Sequence, residues 1–214
     1  VRWKAGGTEL YLKFFRDRDQ ATVASPAFRK VLTDYKRLQS YVDAGSPGRN
    51  WNDATSMVIT GKAGVQIMGD WAKGEFLAAK QTAGKDFGCF PGFGAKSPYI
   101  IAGDVFVFPR TKDATAIKTQ QMLATVMTSP ATQVAFNNKK GSIPIRTDVD
   151  TSAIDLCAQN GLTIMKDASR HLANPDMLIT PDMAGAISDV LTKYWNNPQS
   201  VDDVVKALQS AIKS

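Results

Sequence analysis

Apolar residues recur at spacings of three and four near the start of the chain and predict a long amphipathic helix there. Residues 25–44 place Phe28, Val31, Leu32 and Tyr35 on one face of that helix. A serine followed by proline opens the segment, which is typical of a helix N-terminus. One buried face is therefore expected in this part of the chain.

The next apolar run changes from a strand-like pattern to a helical one. After a short helix predicted at 51–59, the residues Val65, Ile67 and Met68 predict a buried strand. The sequence "WAKGEFLAAK" that follows is helical, and Asp70 stands where the N-cap of that helix belongs. We therefore expect a strand-to-helix corner with a tryptophan at its start.

The middle of the chain shows a β pattern, and most of the remainder is helical. The sequence "IIAGDVFVFPR" alternates valine with phenylalanine and predicts a strand that is packed on both faces. Periodic apolar residues predict helices at 114–127, from 130 onwards, and through most of 150–214. Strands mixed with many helices indicate an α/β fold class.

Composition fits one sizeable core or two smaller ones. The chain has 214 residues, of which 43% are hydrophobic and 21% are charged. Its apolar runs are far shorter than the roughly 20 residues of a membrane-spanning helix. No signal peptide opens the sequence, so we expect a mature protein or a fragment. The net charge of +6 arises from scattered residues and indicates a solvated surface rather than a nucleic-acid interface.

The sequence carries no catalytic motif that we can identify. It lacks a nucleophile elbow, a glycine-rich phosphate loop and a zinc signature, and its single histidine argues against a metal site. Asp70 and Asp104 can formally serve as the paired carboxylates of a carbohydrate-active enzyme, which is the alternative function. Cys89 and Cys157 permit either one long-range disulfide or two buried thiols. We expect no cofactor and no metal.

Three blocks of sequence resemble the family 1 extracellular solute-binding proteins of ABC sugar importers. They are "MVITGKAGVQIMGDWAKGEF", "AGDVFVFP" and "NNKKGSIPIRTDVD", which occur in the order of that family. The similarity is closest to periplasmic glucose- and mannose-binding members. It implies a two-lobed, type II periplasmic binding protein-like fold. Such a protein is periplasmic, is not an enzyme, and delivers a bound monosaccharide to an ABC permease.

The resemblance also implies which residues contact the sugar. Trp71 would stack its indole on the apolar face of a sugar ring, and Asp104, Lys140 and His171 would bond the hydroxyl groups. The neighbouring Lys139 leaves the register of the lysine open by one position. An interaction domain without a small ligand is a further alternative, which a tryptophan buried in a core would favour.

A disulfide and a missing lobe are further implications of the resemblance. An exported protein with two cysteines is expected to pair Cys89 with Cys157. The family pattern divides the chain into 1–104, the first part of a C-terminal lobe, 105–145, a crossing segment that normally belongs to the N-terminal lobe, and 146–214, a helical second part. With that N-terminal lobe largely missing, we expect weakened glucose binding. We also expect the crossing segment to be mobile, rearranged or self-associated.

Overall fold

The computed structural model describes residues 2–92 and 97–213, with the backbone alone for residues 2–6. The α-helices are α1 (Arg2–Phe15), α2 (Gln20–Ala24), α3 (Pro26–Arg37), α4 (Trp51–Ile59), α5 (Lys73–Ala78), α6 (Ala114–Met127), α7 (Pro130–Lys140), α8 (Leu156–Met165), α9 (Pro181–Asn196) and α10 (Val201–Ala211). The strands are β1 (Tyr99–Ile101) and β2 (His171–Ala173). This helix-rich structure with its small sheet agrees with the predicted α/β class.

The chain divides into two compact units. Unit 1 consists of Val1–Gly48, Gly92–Ala102 and Ala168–Ser214, and unit 2 consists of Arg49–Pro91 and Gly103–Asp167. Unit 1 therefore contains α1 to α3, both strands, α9 and α10, whereas unit 2 contains α4 to α8. The two strands pair in parallel, with Tyr99 opposite His171.

Aromatic side chains of α1 fill the core of unit 1. The ring of Phe14 lies 4.7 Å from that of Phe15 and 4.9 Å from that of Phe28, measured between centroids. The Tyr11 hydroxyl donates a 2.7 Å hydrogen bond to the carbonyl of Ala173 in β2. Further buried residues of this core are Leu32, Met183, Ile187, Tyr194, Val204, Val205 and Leu208. The apolar faces of α3, α9 and α10 thus meet around α1.

The helix predicted at 25–44 is confirmed in its first part. Ser25 is the N-cap of α3, since its hydroxyl accepts a 3.2 Å hydrogen bond from the backbone N–H of Phe28. After Arg37 the chain continues as a short 3₁₀ helix that ends at Tyr41. Tyr41 is exposed, so the amphipathic pattern continues past the last residue that contacts the core.

Lys36 caps the C-terminal end of α9. Its ammonium group donates hydrogen bonds to the carbonyls of Tyr194, Trp195 and Asn197, at 2.8, 2.7 and 3.3 Å. The last carbonyls of a helix have no partner within the helix and lie at the negative end of its dipole. Lys36 therefore satisfies carbonyls at the end of α9, together with the Gln39 side-chain amide, which also donates to the Trp195 carbonyl at 2.8 Å.

Polar side chains contribute to the interior of unit 2. The buried amide of Gln133 donates to the Met127 carbonyl at 2.7 Å and accepts from the backbone N–H of Ile145 at 3.1 Å. The rings of Phe76 and Phe87 stack with their centroids 4.3 Å apart. Gln133 thus attaches the segment that follows α7 to the last residue of α6.

The structure contains the disulfide that the family resemblance implies. Cys89 and Cys157 are joined within unit 2 across a sequence separation of 68 residues. Cys157 is the second residue of α8, so the bond attaches the start of that helix to the loop around Cys89.

The buried strand predicted around Val65 is wrong. Residues 65–69 have no regular secondary structure, and Val65, Ile67 and Met68 are all exposed. The side-chain amide of Gln66 donates to the Trp51 carbonyl at 2.9 Å and accepts from the Thr55 hydroxyl at 2.8 Å. These bonds attach the segment to α4 instead of to a sheet.

The strand predicted for "VFVF" is also wrong. β1 ends at Ile101, and the residues from Val105 to Phe108 are irregular and exposed. Among the described residues, no backbone hydrogen bond is made by residues 103–108. A strand requires a neighbouring backbone, and the described part of the chain provides none here.

Replacing Lys36 with methionine should destabilise the protein by about 2 kcal/mol, because three carbonyls lose a charged donor. Urea unfolding monitored by tryptophan fluorescence measures this loss. Lys30→Met is the control, since Lys30 is on the same helix and pairs only with Asp34 in an exposed (i, i+4) contact. That variant should have little effect. Equal losses in both variants would contradict the capping role of Lys36.

Replacing Cys89 and Cys157 together with serine should lower the free energy of unfolding by about 4 kcal/mol in the chain-entropy model. The cause is the long loop that the disulfide closes in the unfolded chain. Urea unfolding of protein prepared under oxidising conditions provides the measurement. Unchanged unfolding, or alkylation of both thiols in the unreduced wild type, would argue against the bond.

Candidate functional site

Trp71 lies on a short 3₁₀ helix that leads into α5. This helix spans Asp70–Ala72 and has Gly69 as its N-cap, so the prediction of Asp70 as N-cap is wrong by one position. A Cβ at Gly69 would overlap the indole, which therefore lies over the glycine backbone. The Trp71 side chain remains 37% exposed. The tryptophan is thus available to a ligand and is not a core residue.

Two glycines bring the start of α5 close to the end of α7. Gly141 ends α7 in the left-handed conformation, with φ of 89°, and a Cβ there would overlap the backbone of Gly74. A Cβ on Gly74 would lie 2.7 Å from the carbonyl oxygen of Lys140. Only residues without side chains permit this approach. It places Lys140 beside the helix start that carries Trp71.

Lys140 forms an ion pair with Asp104. Its Nζ also lies 6.0 Å from the ring centroid of Phe136, one turn earlier in α7, which is within cation–π range. Lys139 is more exposed than Lys140. The structure therefore brings Asp104 together with Lys140, whereas the sequence left the choice between the two lysines open.

Asp70 adds a carboxyl group to the same corner. Asp70 is exposed as a residue, but partial desolvation of its carboxyl group raises its pKa, and the positive charges of Lys73 and Lys140 offset part of that rise. Lys140 is therefore within electrostatic reach of Asp70. An indole, two carboxyl groups and a lysine thus surround the contact between α5 and α7.

An ion pair joins the first residue of α5 to the residue that caps α8. The Nζ of Lys73 lies 2.5 Å from Oδ2 of Asp155; the lysine side chain is buried and the aspartate side chain is partly buried. Asp155 also caps α8 by accepting from the backbone N–H groups of Cys157 and Ala158 at 2.9 and 3.1 Å. The sequence analysis missed this pair, because its two members are far apart along the chain. It also missed Gly74 and Gly141, although a glycine directly after a helix is a recognisable end signal.

His171 lies in the other unit. It is the first residue of β2 and is partly buried. Trp71, Asp104 and Lys140 belong to unit 2, so the structure groups three of the four predicted sugar-contacting residues in one unit. The role of His171 stays a prediction.

The corner of unit 2 combines an aromatic face with charged hydrogen-bonding groups. An indole packs against apolar C–H surfaces. A lysine donates hydrogen bonds to hydroxyl groups, and carboxylates accept hydrogen bonds from them. In the described parts of the chain, no group of three or more acidic, histidine or cysteine side chains is arranged to hold a metal ion. Nor does any described helix have the length and hydropathy to cross a membrane.

Residues 5–159 match the family of bacterial extracellular solute-binding proteins. The chain belongs to this family. The match includes Trp71, Asp104, Lys140 and both cysteines, and it confirms the family resemblance found in the sequence. This is a family of binding proteins and not of enzymes. The alternative of a carbohydrate-active enzyme is therefore not favoured.

Two relatives of this chain carry sugar-related names, and a third is named for an ABC transporter. A probable sugar-binding periplasmic protein of Mesorhizobium japonicum is 40% identical, over 96% of this chain and 52% of the relative. A protein of the same name from Brucella suis biovar 1 is 37% identical, over 97% of this chain and 50% of the relative. An uncharacterized ABC transporter extracellular-binding protein of Pyrococcus horikoshii is 30% identical, over 84% of this chain and 38% of the relative. The chain spans about half the length of the curated relatives it matches most fully.

Asp70 should make stability depend on pH. Because partial desolvation of its carboxyl group raises the pKa of Asp70 above the ordinary value of 3.8, folding favours the protonated carboxyl to a small extent. That stability is present below 3.8 and is lost as pH rises through the folded pKa. Asp70→Asn should therefore be more stable than the wild type at neutral pH, with a difference that shrinks under acidic conditions. Urea unfolding across this pH range tests it, and a constant difference would contradict the argument.

Proposed function

We propose that this chain binds a monosaccharide, with glucose as the first candidate, as part of the periplasmic component of an ABC importer. The observation that carries the proposal is the corner of unit 2, where the half-exposed Trp71 and the Asp104–Lys140 ion pair flank one helix contact. The names of the relatives support a sugar as the ligand and a location in the periplasm. The name of the Pyrococcus relative supports an ABC permease as the partner.

Sugar chemistry matches each group of this corner. The indole of Trp71 offers a flat apolar face to the C–H side of a pyranose ring. Adjacent hydroxyl groups can donate to the Asp104 carboxylate and accept from the Lys140 ammonium group, which gives two charge-assisted bonds. The ion pair between these residues keeps both charges satisfied before a sugar arrives. His171 is proposed as a further hydroxyl partner.

We propose that the affinity of this chain for glucose is low. The chain spans about half the length of its relatives, and the assignment of 105–145 as a crossing segment implies one wall of a two-walled cleft. Water then competes for every hydroxyl on the open side. Affinity about a thousandfold below that of a complete receptor is expected, equivalent to about 4 kcal/mol.

Titration of the 214-residue chain with glucose should show weak binding. Trp71→Ala should weaken it by a further 1 kcal/mol or so, about fivefold, through loss of the aromatic face. Calorimetry at high protein concentration measures both, with mannose and xylose as comparison ligands. Phe90→Ala is the control, because it removes another exposed aromatic ring of unit 2.

Three outcomes would contradict the proposal. Submicromolar binding by the wild type would show that the site is already complete in this chain. Absence of any sugar binding would remove the proposed ligand class. Equal effects of Trp71→Ala and Phe90→Ala would show that the indole has no specific role in the site.

A further inference from the structure

Lys73 places a charged side chain in the interior of unit 2, two residues after Trp71. Its side chain is only 6% exposed, and its Nζ pairs with the carboxylate of Asp155. A buried ion pair is often no more stabilising than well-packed apolar side chains of similar volume, because both charges lose their water. Fold stability alone therefore gives no reason for a lysine here. An ion pair does, however, impose a defined geometry on the two segments that it joins.

Asp155 divides its two oxygens between α5 and α8. Its Oδ2 pairs with Nζ of Lys73, and its Oδ1 accepts hydrogen bonds from the backbone N–H groups of Cys157 and Ala158. Cys157 is itself bonded to Cys89. Lys73 is thus attached to a helix start that a disulfide also constrains.

A second route leads from the disulfide back to α5. The rings of Phe76, in α5, and Phe87 stack with their centroids 4.3 Å apart, and Phe87 lies two residues before Cys89. Both ends of the disulfide are therefore linked to the same helix. One link is the pair of stacked rings, and the other passes through Asp155 to Lys73. All of these contacts lie within unit 2.

Trp71 lies in the 3₁₀ turn that leads directly into Lys73. The backbone N–H of Lys73 bonds to the carbonyl of Asp70, and the N–H of Ala72 bonds to the carbonyl of Gly69 at 3.2 Å. The indole lies over the backbone of that same glycine. The direction of the indole consequently depends on where Lys73 is held.

We propose that Lys73 is a positioning residue for sugar binding, because its ion pair with Asp155 fixes the turn that carries the Trp71 indole. Lys73 acts through Trp71 and not by contact with the sugar. The proposal rests on the proposed function for its ligand, whereas its effect on the turn concerns the chain without ligand.

Removing both charges of the pair separates positioning from stability. Lys73→Met/Asp155→Asn keeps a side chain of similar length at position 73 and a capping residue at position 155, since asparagine caps helices about as well as aspartate. Urea unfolding of this double variant should therefore stay close to that of the wild type. The Ala72 amide proton should nevertheless exchange with solvent at least about tenfold faster, because the turn loses a charge-assisted contact. Exchange followed by NMR measures this change.

An exposed ion pair of unit 2 provides the matched control. Arg146 pairs with Asp148 away from α5, so Arg146→Met/Asp148→Asn should leave the exchange at Ala72 unchanged. Lys73→Met alone is a second test variant, since Asp155 keeps its helix-capping bonds there, and it should show the same faster exchange. Unchanged exchange at Ala72 without the Lys73 charge overturns the positioning role, as does equal acceleration in the control.

Glucose titration tests the link to the ligand. Lys73→Met/Asp155→Asn should weaken binding by up to about fivefold, which is the loss expected for Trp71→Ala. In a Trp71→Ala background the same change should weaken binding no further, because the side chain that it positions is absent. An equal further loss in that background overturns the action through Trp71. Absence of glucose binding in every chain would instead contradict the proposed function, and exchange at Ala72 would still decide whether Lys73 positions the turn.

Discussion

The backbone contact between Gly74 and Gly141 is the constraint on which the candidate site depends. Two separate requirements meet at Gly141, because its φ of 89° is rarely adopted by other residues and because a Cβ would overlap α5. Lys140 directly precedes one glycine, and Trp71 lies one helical turn before the other. This single contact therefore sets the separation between the aromatic face and the Asp104–Lys140 ion pair.

An ion pair joins α5 to the start of α8, and a disulfide fixes that start in turn. Burying a lysine is costly unless its charge is paired, and Lys73 is paired with Asp155 at 2.5 Å. Asp155 also accepts two hydrogen bonds from the first turn of α8, where Cys157 carries the disulfide to Cys89. An ion pair, a helix cap and a disulfide thus converge on one helix start. The helices that carry the candidate site are therefore fixed at their ends by contacts between residues distant in the sequence.

The sequence predicts those features of this protein that arise from neighbouring residues. Serine followed by proline located the start of α3, since a capping hydroxyl acts on an N–H three residues later. The ion pair of Lys73 with Asp155 and the approach of Gly74 to Gly141 join remote positions, so no local pattern indicates them. The family motifs indicate Trp71, Asp104 and Lys140 as sugar contacts, but only the fold shows that Asp104 and Lys140 form an ion pair. His171 lies in β2 of unit 1, and its role as a sugar contact stays a prediction.

The two failed strand predictions show why alternation alone is insufficient. An alternating apolar run becomes a strand only if another backbone accepts its hydrogen bonds, and periodicity carries no information about that neighbour. In residues 65–69 a single polar side chain decides the outcome, because Gln66 bonds to Thr55 and Trp51 of α4. The run from Val105 to Phe108 contains no polar side chain that could attach it in this way. Its backbone groups therefore have no hydrogen-bonding partner in the described part of the chain, although its residues are those that favour a sheet most strongly.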